Sequence, residues 1–241
     1  MIRLDGQTLT AVQLAAIAAG SPVELDAAAL AKVAENRKVI DRILAEGRTV
    51  YGINTGFGQF ATVVIPPSQL AQLQLNLVRS HAAGVGTPLP QDQTRALMAA
   101  RINCLLKAYS GIRPEPIQLL AQCLNQNIVP VIPSQGSVGA SGDLAPLAHM
   151  ALLLVGEGLA WEGDKHVPGG EALKKAGLTP IELQPKEGLA LINGTQLITS
   201  LGNLAVSRLR KLIPLADEIA ALSLEALRGT RAAFDPRIHK A

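Results

Sequence analysis

Aromatic residues are nearly missing from this chain of 241 residues: one Trp, two Tyr and three Phe, 2% of the total. With hydrophobic residues at 48%, the core is left to leucine, alanine, isoleucine and valine. Alanine and leucine are the better helix formers, which favours helix bundles over sandwiches. Charge is also scarce, 17% against the ~25% usual in soluble domains. With a mean hydropathy of +0.26, that scarcity points to apolar surface covered by other subunits. There are two cysteines, Cys104 and Cys123, which share no metal-ligand spacing and read as buried thiols of a reducing cytoplasm. The net charge of +3 and pI near 9.0 do not indicate nucleic acid. The basic residues are scattered among acids, as in Glu35-Asn36-Arg37-Lys38, with no Lys/Arg run interleaved with aromatics. Met1 to Gly6 lacks the apolar core of a signal peptide. The run from Leu147 to Val155 is shorter than the ~20 residues that span a bilayer. These features predict a soluble, cytoplasmic protein with no membrane or nucleic-acid partner.

A chain of this length forms one large or two modest domains. Residues 1 to 9 read as a short strand and turn, and Thr10 caps a small helix ending at Gly20. Asp26 caps a longer helix to Glu46, with Leu30, Val33, Ile40 and Leu44 facing inward and Gly47 as its stop. Thr49 to Ile53 has strand-like content, and residues 54–58 form a loop. Pro66-Pro67-Ser68 opens a helix whose apolar face, Leu70, Leu73 and Leu77, steps by four to His81. There the negative end of the helix dipole favours imidazolium. Helices are predicted over 93–109 and 116–125, a small hairpin over 159–167 with Trp161 and His166 on its surface, and a short helix over 171–176. From Glu187 the chain is mostly helical. Leu212, Leu215, Ile219, Leu222 and Ala226 make a bundle seam, and Pro214 kinks or divides the helix. The expected fold is mainly α: a small mixed amino-terminal region, 1–110, leading into an elongated helical bundle, 111–241.

The stretch Gln135 to Pro146 stands apart. Small residues crowd Gly136-Ser137-Val138-Gly139-Ala140-Ser141-Gly142, so the backbone can fold tightly. The stretch lies between an apolar extended run, 128–132, and an apolar helix, 147–154. A phosphate-cradling loop is excluded by the missing Gly-Lys-Ser/Thr end and by spacing that misses the dinucleotide fingerprint. Glycine has the least hindered amide nitrogen, so a bent loop can press Gly142 N against the Ala140 carbonyl carbon. Pro146 falls in the first turn of the next helix, and Asp143 is both the candidate N-cap of that helix and a candidate catalytic residue, two roles that can coexist.

The string of residues 136–149, Gly-Ser-Val-Gly-Ala-Ser-Gly-Asp-Leu-Ala-Pro-Leu-Ala-His, resembles the histidine ammonia-lyases of the aromatic amino acid ammonia-lyase and aminomutase family. There an Ala-Ser-Gly triplet cyclises with loss of two waters to 4-methylideneimidazol-5-one (MIO), a built-in electrophile. The resemblance implies MIO from Ala140, Ser141 and Gly142, with no external cofactor and no metal, and deamination of L-histidine to urocanate and ammonia. Val50 to Gly58 is similar to the family's glycine-rich loop, which makes Tyr51 the candidate general base. Free tyrosine ionises near ~10, so that role needs a depressed pKa. Ser80-His81 resembles the pair histidine lyases carry where phenylalanine lyases use apolar residues, which assigns His81 to the substrate ring. Tyrosine ammonia-lyases and related aminomutases also use histidine there. Gly188 to Gln196 matches a further motif and brings Asn193, whose amide donates to the ring carbonyl or the substrate. Asn193 equally suits a cap for the helix starting near Thr195.

The resemblance covers essentially the whole chain but only about the first half of the family. Residues 231–241 fall mid-protein in relatives. A tyrosine, a carboxylate-binding arginine and a glutamate come from the other half, and family members are tetramers whose active sites draw on several subunits. The readings open at this point are a fragment, a truncation, one half of a split enzyme completed by a carboxy-terminal half, or a compact relative. The expectation is a homo-oligomer or a complemented half, with weak or no activity in the isolated chain. A non-catalytic assembly module of lyase ancestry is the alternative from another class.

Overall fold

Caps in the sequence set where the first helices begin. A computed structural model describes residues 1–139 and 141–240; Ala140, the first residue of the triplet, lies outside them. Strand β1 (Ile2–Leu4) leads to helix α1 (Ala11–Ala18) through Thr10. The Thr10 side chain accepts from Gln13 N while the Gln13 side chain accepts from Thr10 N, a reciprocal capping box. Strand β2 (Val23–Leu25) pairs in parallel with β1. Helix α2 (Ala27–Ala45) starts at Asp26, which accepts from Ala29 N at 2.7 Å. Its buried face is Ala29, Val33, Arg37, Ile40 and Ile43, so Ile43 rather than Leu44 is the deeply packed residue of the last turn.

No strand forms over Thr49–Ile53. Val50 N donates to Asn54 Oδ1 at 2.9 Å and Asn54 Nδ2 donates to Arg48 O at 2.8 Å. The asparagine thus offers the backbone a local turn in place of a ladder, and Gly52 takes φ +76° within it. Helix α3 (Leu70–His81) and strand β3 (Val85–Pro88) follow. Helix α4 (Gln91–Leu105) begins and ends earlier than its pattern suggests, because Ala108 and Gly111 take positive φ and carry the chain out of the helix. Ala96, Leu97, Met98, Ala99 and Ile102 of α4 have no exposed surface, as expected of a helix enclosed on every side. Helix α5 (Pro114–Asn125) packs on it.

Strand β4 (Pro133–Gln135) pairs with β3 and leads through the small-residue loop into helix α6 (Leu144–Leu154). Strands β5 (Leu159–Glu162) and β6 (Lys165–Pro168) form the expected hairpin. Trp161, expected on the surface, is only partly exposed, and its indole Nε1 is buried. Helices α7 (Gly169–Lys175), α8 (Glu187–Ile192) and α9 (Gln196–Ala226) complete the order, with short 3-10 turns beyond. Helix α6 packs between α3 and α8, while α4 packs against α1 and α9, so one apolar core runs from Leu4 to Leu204. The mainly α expectation holds.

Helix α9 runs through Pro214 without dividing. Leu197, Ser200 and Leu204 at its start are buried, but the expected seam is bare: Leu212, Leu215, Ile219 and Leu222 are all exposed. By length and mean hydropathy (1.2) the stretch Glu187–Ala226 is apolar enough to cross a membrane, which a count of uninterrupted apolar residues misses. The buried helices of a packed core meet the same criterion, and 33% of that window is inside this one.

Helix α8 is anchored by Glu187, which has no exposed surface. Its carboxylate accepts from Arg113 Nε at 2.8 Å, Arg113 Nη2 at 3.0 Å and Gln184 N at 2.8 Å. Removing one member of such a buried pair strands the other. Glu187→Ala should therefore lower unfolding free energy by about 3 kcal/mol in urea titration; a loss within error would show that α8 is held by packing alone.

Candidate functional site

The loop between β4 and α6 bends by backbone bonds at close range. Val138 N donates to Gly142 O at 2.7 Å, Gly142 N to Gly139 O at 3.2 Å, and Asp143 N to Ser141 O at 2.9 Å. Gly139 and Gly142 have φ +85° and +75°, left-handed values that glycine adopts without a Cβ penalty. At Gly142 a Cβ would also meet Ile198 Cδ1 at 2.8 Å. The chain therefore turns sharply at Gly139 and at Gly142, with the Gly142 amide held by Gly139 O. Ala140 itself lies outside the described residues.

Asp143 occupies the N-cap position of α6, but its side chain does not cap that helix. The carboxylate, with no exposed surface, reaches across to α9. Oδ2 accepts from Leu197 N at 2.7 Å and Ile198 N at 3.1 Å, while Oδ1 accepts from Ser137 Oγ at 2.8 Å. The first-turn N–H groups of α9 have no intrahelical partner and carry the positive end of its dipole, so they suit a carboxylate. The Asp143 amide completes the clamp by donating to Gly194 O at 3.2 Å.

Asn193 is thus next to the loop. It is the C-cap of α8 and exposed, and Thr195, not Asn193, takes the N-cap position of α9. His81 ends α3, its Nδ1 2.8 Å from Leu77 O. A carbonyl only accepts, so Nδ1 carries the proton and Nε2 is left as the ring's other hydrogen-bonding atom. Three residues on, Gly84 packs against Gln135 and Gly136, which ties the His81 end of α3 to the base of the loop. Tyr51 is 56% exposed and lies edge-on to Phe57, ring centroids 6.1 Å apart. Its neighbour Gly52 rests on α8: a Cβ there would meet Leu189 Cδ2 at 2.7 Å and lie 3.8 Å from Lys186 Nζ. Asp143, Gly194 and the loop are in direct contact; His81 is tied to the base of the loop through Gly84, whereas the turn of Tyr51 meets α8 at Leu189 and not the loop itself.

Several supporting residues escaped the sequence reading. Gln74, fully buried on α3, accepts from Gly188 N at 2.9 Å. Arg101 of α4 donates to Gln196 Oε1 at 2.6 Å and to Ala190 O. Burial lowers its pKa to about 10, still far above neutrality, so it remains a cation. Its signal was a lone charge inside the apolar run of α4. Lys186, beside Gly52, also has its pKa lowered by burial. Ser137 and His149 lie inside the central motif but had no assigned role.

The family model for aromatic amino acid lyases matches residues 9–241. The chain belongs to that family. It is 50% identical over 246 residues to the histidine ammonia-lyase of Anaeromyxobacter dehalogenans, covering 99% of this chain and 48% of that protein. The crystal structure of histidine ammonia-lyase from Trypanosoma cruzi superposes with a TM-score of 0.90 at 46% identity, over 99% of this chain and 46% of that one. Tyrosine aminomutase from Streptomyces globisporus superposes at 0.88 with 40% identity, over 94% and 43%. This lyase-family chain spans about half the length of the relatives it matches.

The clamp is testable by substitution at Asp143. Asp143→Ala orphans the Leu197 and Ile198 amides and the Ser137 hydroxyl, at a cost of about 3 kcal/mol. Asp143→Asn keeps one carbonyl acceptor and costs less. Urea titration with amide exchange at Leu197 and Ile198 reads both; unchanged protection in Asp143→Ala would refute the clamp.

Proposed function

We propose that this chain carries the amino-terminal half of a histidine ammonia-lyase site, which removes ammonia from L-histidine to give urocanate. The observation that carries the proposal is the clamped Ser137–Asp143 loop, in a chain that is 50% identical over nearly its whole length to a histidine ammonia-lyase. In this reading Ala140, Ser141 and Gly142 form MIO by attack of Gly142 N on the Ala140 carbonyl carbon, and two waters leave. When formed, the group supplies an electrophile that activates the substrate amine as a leaving group. Positive φ at Gly139 and Gly142 and the bond from the Gly142 amide back to Gly139 O, which together tighten the loop, support its formation.

The chain's own residues do the rest. His81 Nε2 accepts from the imidazole N–H of the substrate. Tyr51, exposed on the turn that Gly52 seats against α8, takes the β-proton. Asn193 presents its amide toward the ring carbonyl or the substrate. Asp143 acts as a positioning residue. The carboxylate of the substrate is met from outside these residues, and the bare face of α9 is covered by further copies or by a complementing carboxy-terminal half. Uncovered, it leaves Leu222 at 72% exposure, one of a row of apolar residues that water disfavours.

A second reading, a tyrosine lyase or aminomutase, is favoured by the likeness to the aminomutase and by a histidine that also suits a phenol. An assembly module would need none of Tyr51, His81 or Ser141. Ultraviolet assay of urocanate decides among these. The chain alone should give little product, and adding the carboxy-terminal half of a histidine ammonia-lyase should raise it. In that complemented form Ser141→Ala should lower kcat by on the order of a thousandfold or more, and His81→Phe should cost about tenfold to a hundredfold in kcat/KM. Robust turnover by the chain alone would refute the need for the missing half. Turnover of tyrosine in preference to histidine would replace the substrate. No turnover in any complemented form would favour the assembly module.

A further inference from the structure

His149 is the sole ionisable side chain of α6, two turns beyond the loop, and the chemistry above does not use it. The Gly84 amide donates to its Nε2 at 3.1 Å. A backbone N–H only donates, so Nε2 is bare and the neutral ring holds its proton on Nδ1. Gly84 is built into this contact: a Cβ there would lie 3.2 Å from Nε2 and 3.3 Å from Gln135 O. Across the same junction a Cβ on Gly136 would meet Gly84 Cα at 3.3 Å and Ala145 Cβ at 3.1 Å. One imidazole thus joins the turn after His81, the entry of the loop and the helix that leaves it.

We infer that His149 is a positioning residue: its neutral ring pins the Gly84 turn, and with it the His81 end of α3, against the loop of residues 136–143. The part of the claim that concerns substrate rests on the His81 contact proposed above. The pin needs Nε2 unprotonated, because a second N–H facing the Gly84 amide would set two donors together. Burial lowers the His149 pKa from its usual 6.5 and is the whole cause. The ionisable groups on the helices packed against α6 are Arg79 and His81 of α3, Glu115 and Cys123 of α5, Glu171, Lys174 and Lys175 of α7, and Glu187 of α8. Arg79 pairs with Glu157, Glu187 with Arg113 and Lys175 with Glu162, Asp143 is held by α9, and none of them contributes to the shift of His149. His81 is turned to Leu77 O, and β3 and β4 carry no ionisable group. Because the folded ring resists protonation and the unfolded one does not, the unfolded chain binds more protons as pH falls through 6.5. Stability supplied by the pin is therefore complete above that pH and declines below it.

The test combines imidazole nitrogen NMR with amide exchange at Gly84, expressed as protection relative to the unstructured chain. In the unaltered protein His149 should be the Nδ1–H tautomer, with Gly84 protected near neutrality and released on acidification. His149→Phe should lower Gly84 protection at least about tenfold. His149→Gln, which offers a carbonyl acceptor that does not titrate, should restore protection and remove its pH dependence. In the complemented enzyme His149→Phe should raise KM for histidine more than it lowers kcat, and His149→Gln should reverse this. An Nε2–H tautomer, or Gly84 protection indifferent to acid, overturns the pin even if His149→Phe fails to fold. A freed Gly84 with unchanged KM overturns the role toward substrate. Absence of turnover in the unaltered complemented enzyme counts against the lyase reading instead, and the Gly84 result stands by itself.

Discussion

Asp143 has no exposed surface, and among the described residues no cation pairs with it, yet its carboxylate accepts from a serine hydroxyl and two amides of α9. Burying an unpaired carboxylate costs several kcal/mol unless its oxygens are satisfied, and the free end of a helix is one of the few places that can do so. The rest of the functional end follows from that requirement. To reach α9, Asp143 must leave its own helix uncapped. The loop must then turn back sharply enough to bring Ser137 onto the other oxygen, which glycines at 139 and 142 permit. Gly194 is drawn against the Asp143 amide, and this sets Asn193 beside the loop.

The second half of α9 shows the opposite economy. Its first turns are locked under α1 and α4, whereas its later leucines and isoleucines face outward. The shortage of charge in the sequence is the same fact seen from composition. A chain about half the length of its relatives has helix faces for which it holds no cover. One helix carries both features: its buried start supplies the amides that hold Asp143, and its later turns are exposed.

Much of the architecture was legible because it is written in local patterns. Thr10 and Asp26 mark helix starts, and Pro146 falls in a first turn, whereas the helix expected from Pro116 already begins at Pro114. The apolar step to His81 places that ring at a helix end. What escaped depends on partners distant in sequence. The carboxylate of Asp143 looked like the cap of its own helix, since nothing near it announces the amides of Leu197 and Ile198. Thr49–Ile53 looked like a strand because composition does not reveal that Asn54 will take the hydrogen bonds a ladder needs. The roles of Gln74, Arg101 and His149 arise only when α3, α4 and α6 meet α8, α9 and β3. The bare seam on α9 has the periodicity of a packed one, as periodicity reports the face and not its occupant.

The bonds that shape the loop among the described residues are all made by this chain, whereas the proposed substrate capture also draws on residues outside it. The most direct test is the mass of the proteolytic peptide spanning residues 136–149 from the purified chain. The account predicts a peptide lighter than its sequence by two water molecules, and lighter by none in Ser141→Ala. A peptide of full mass in the unaltered chain would contradict it, showing that clamp and turn do not suffice to close the ring.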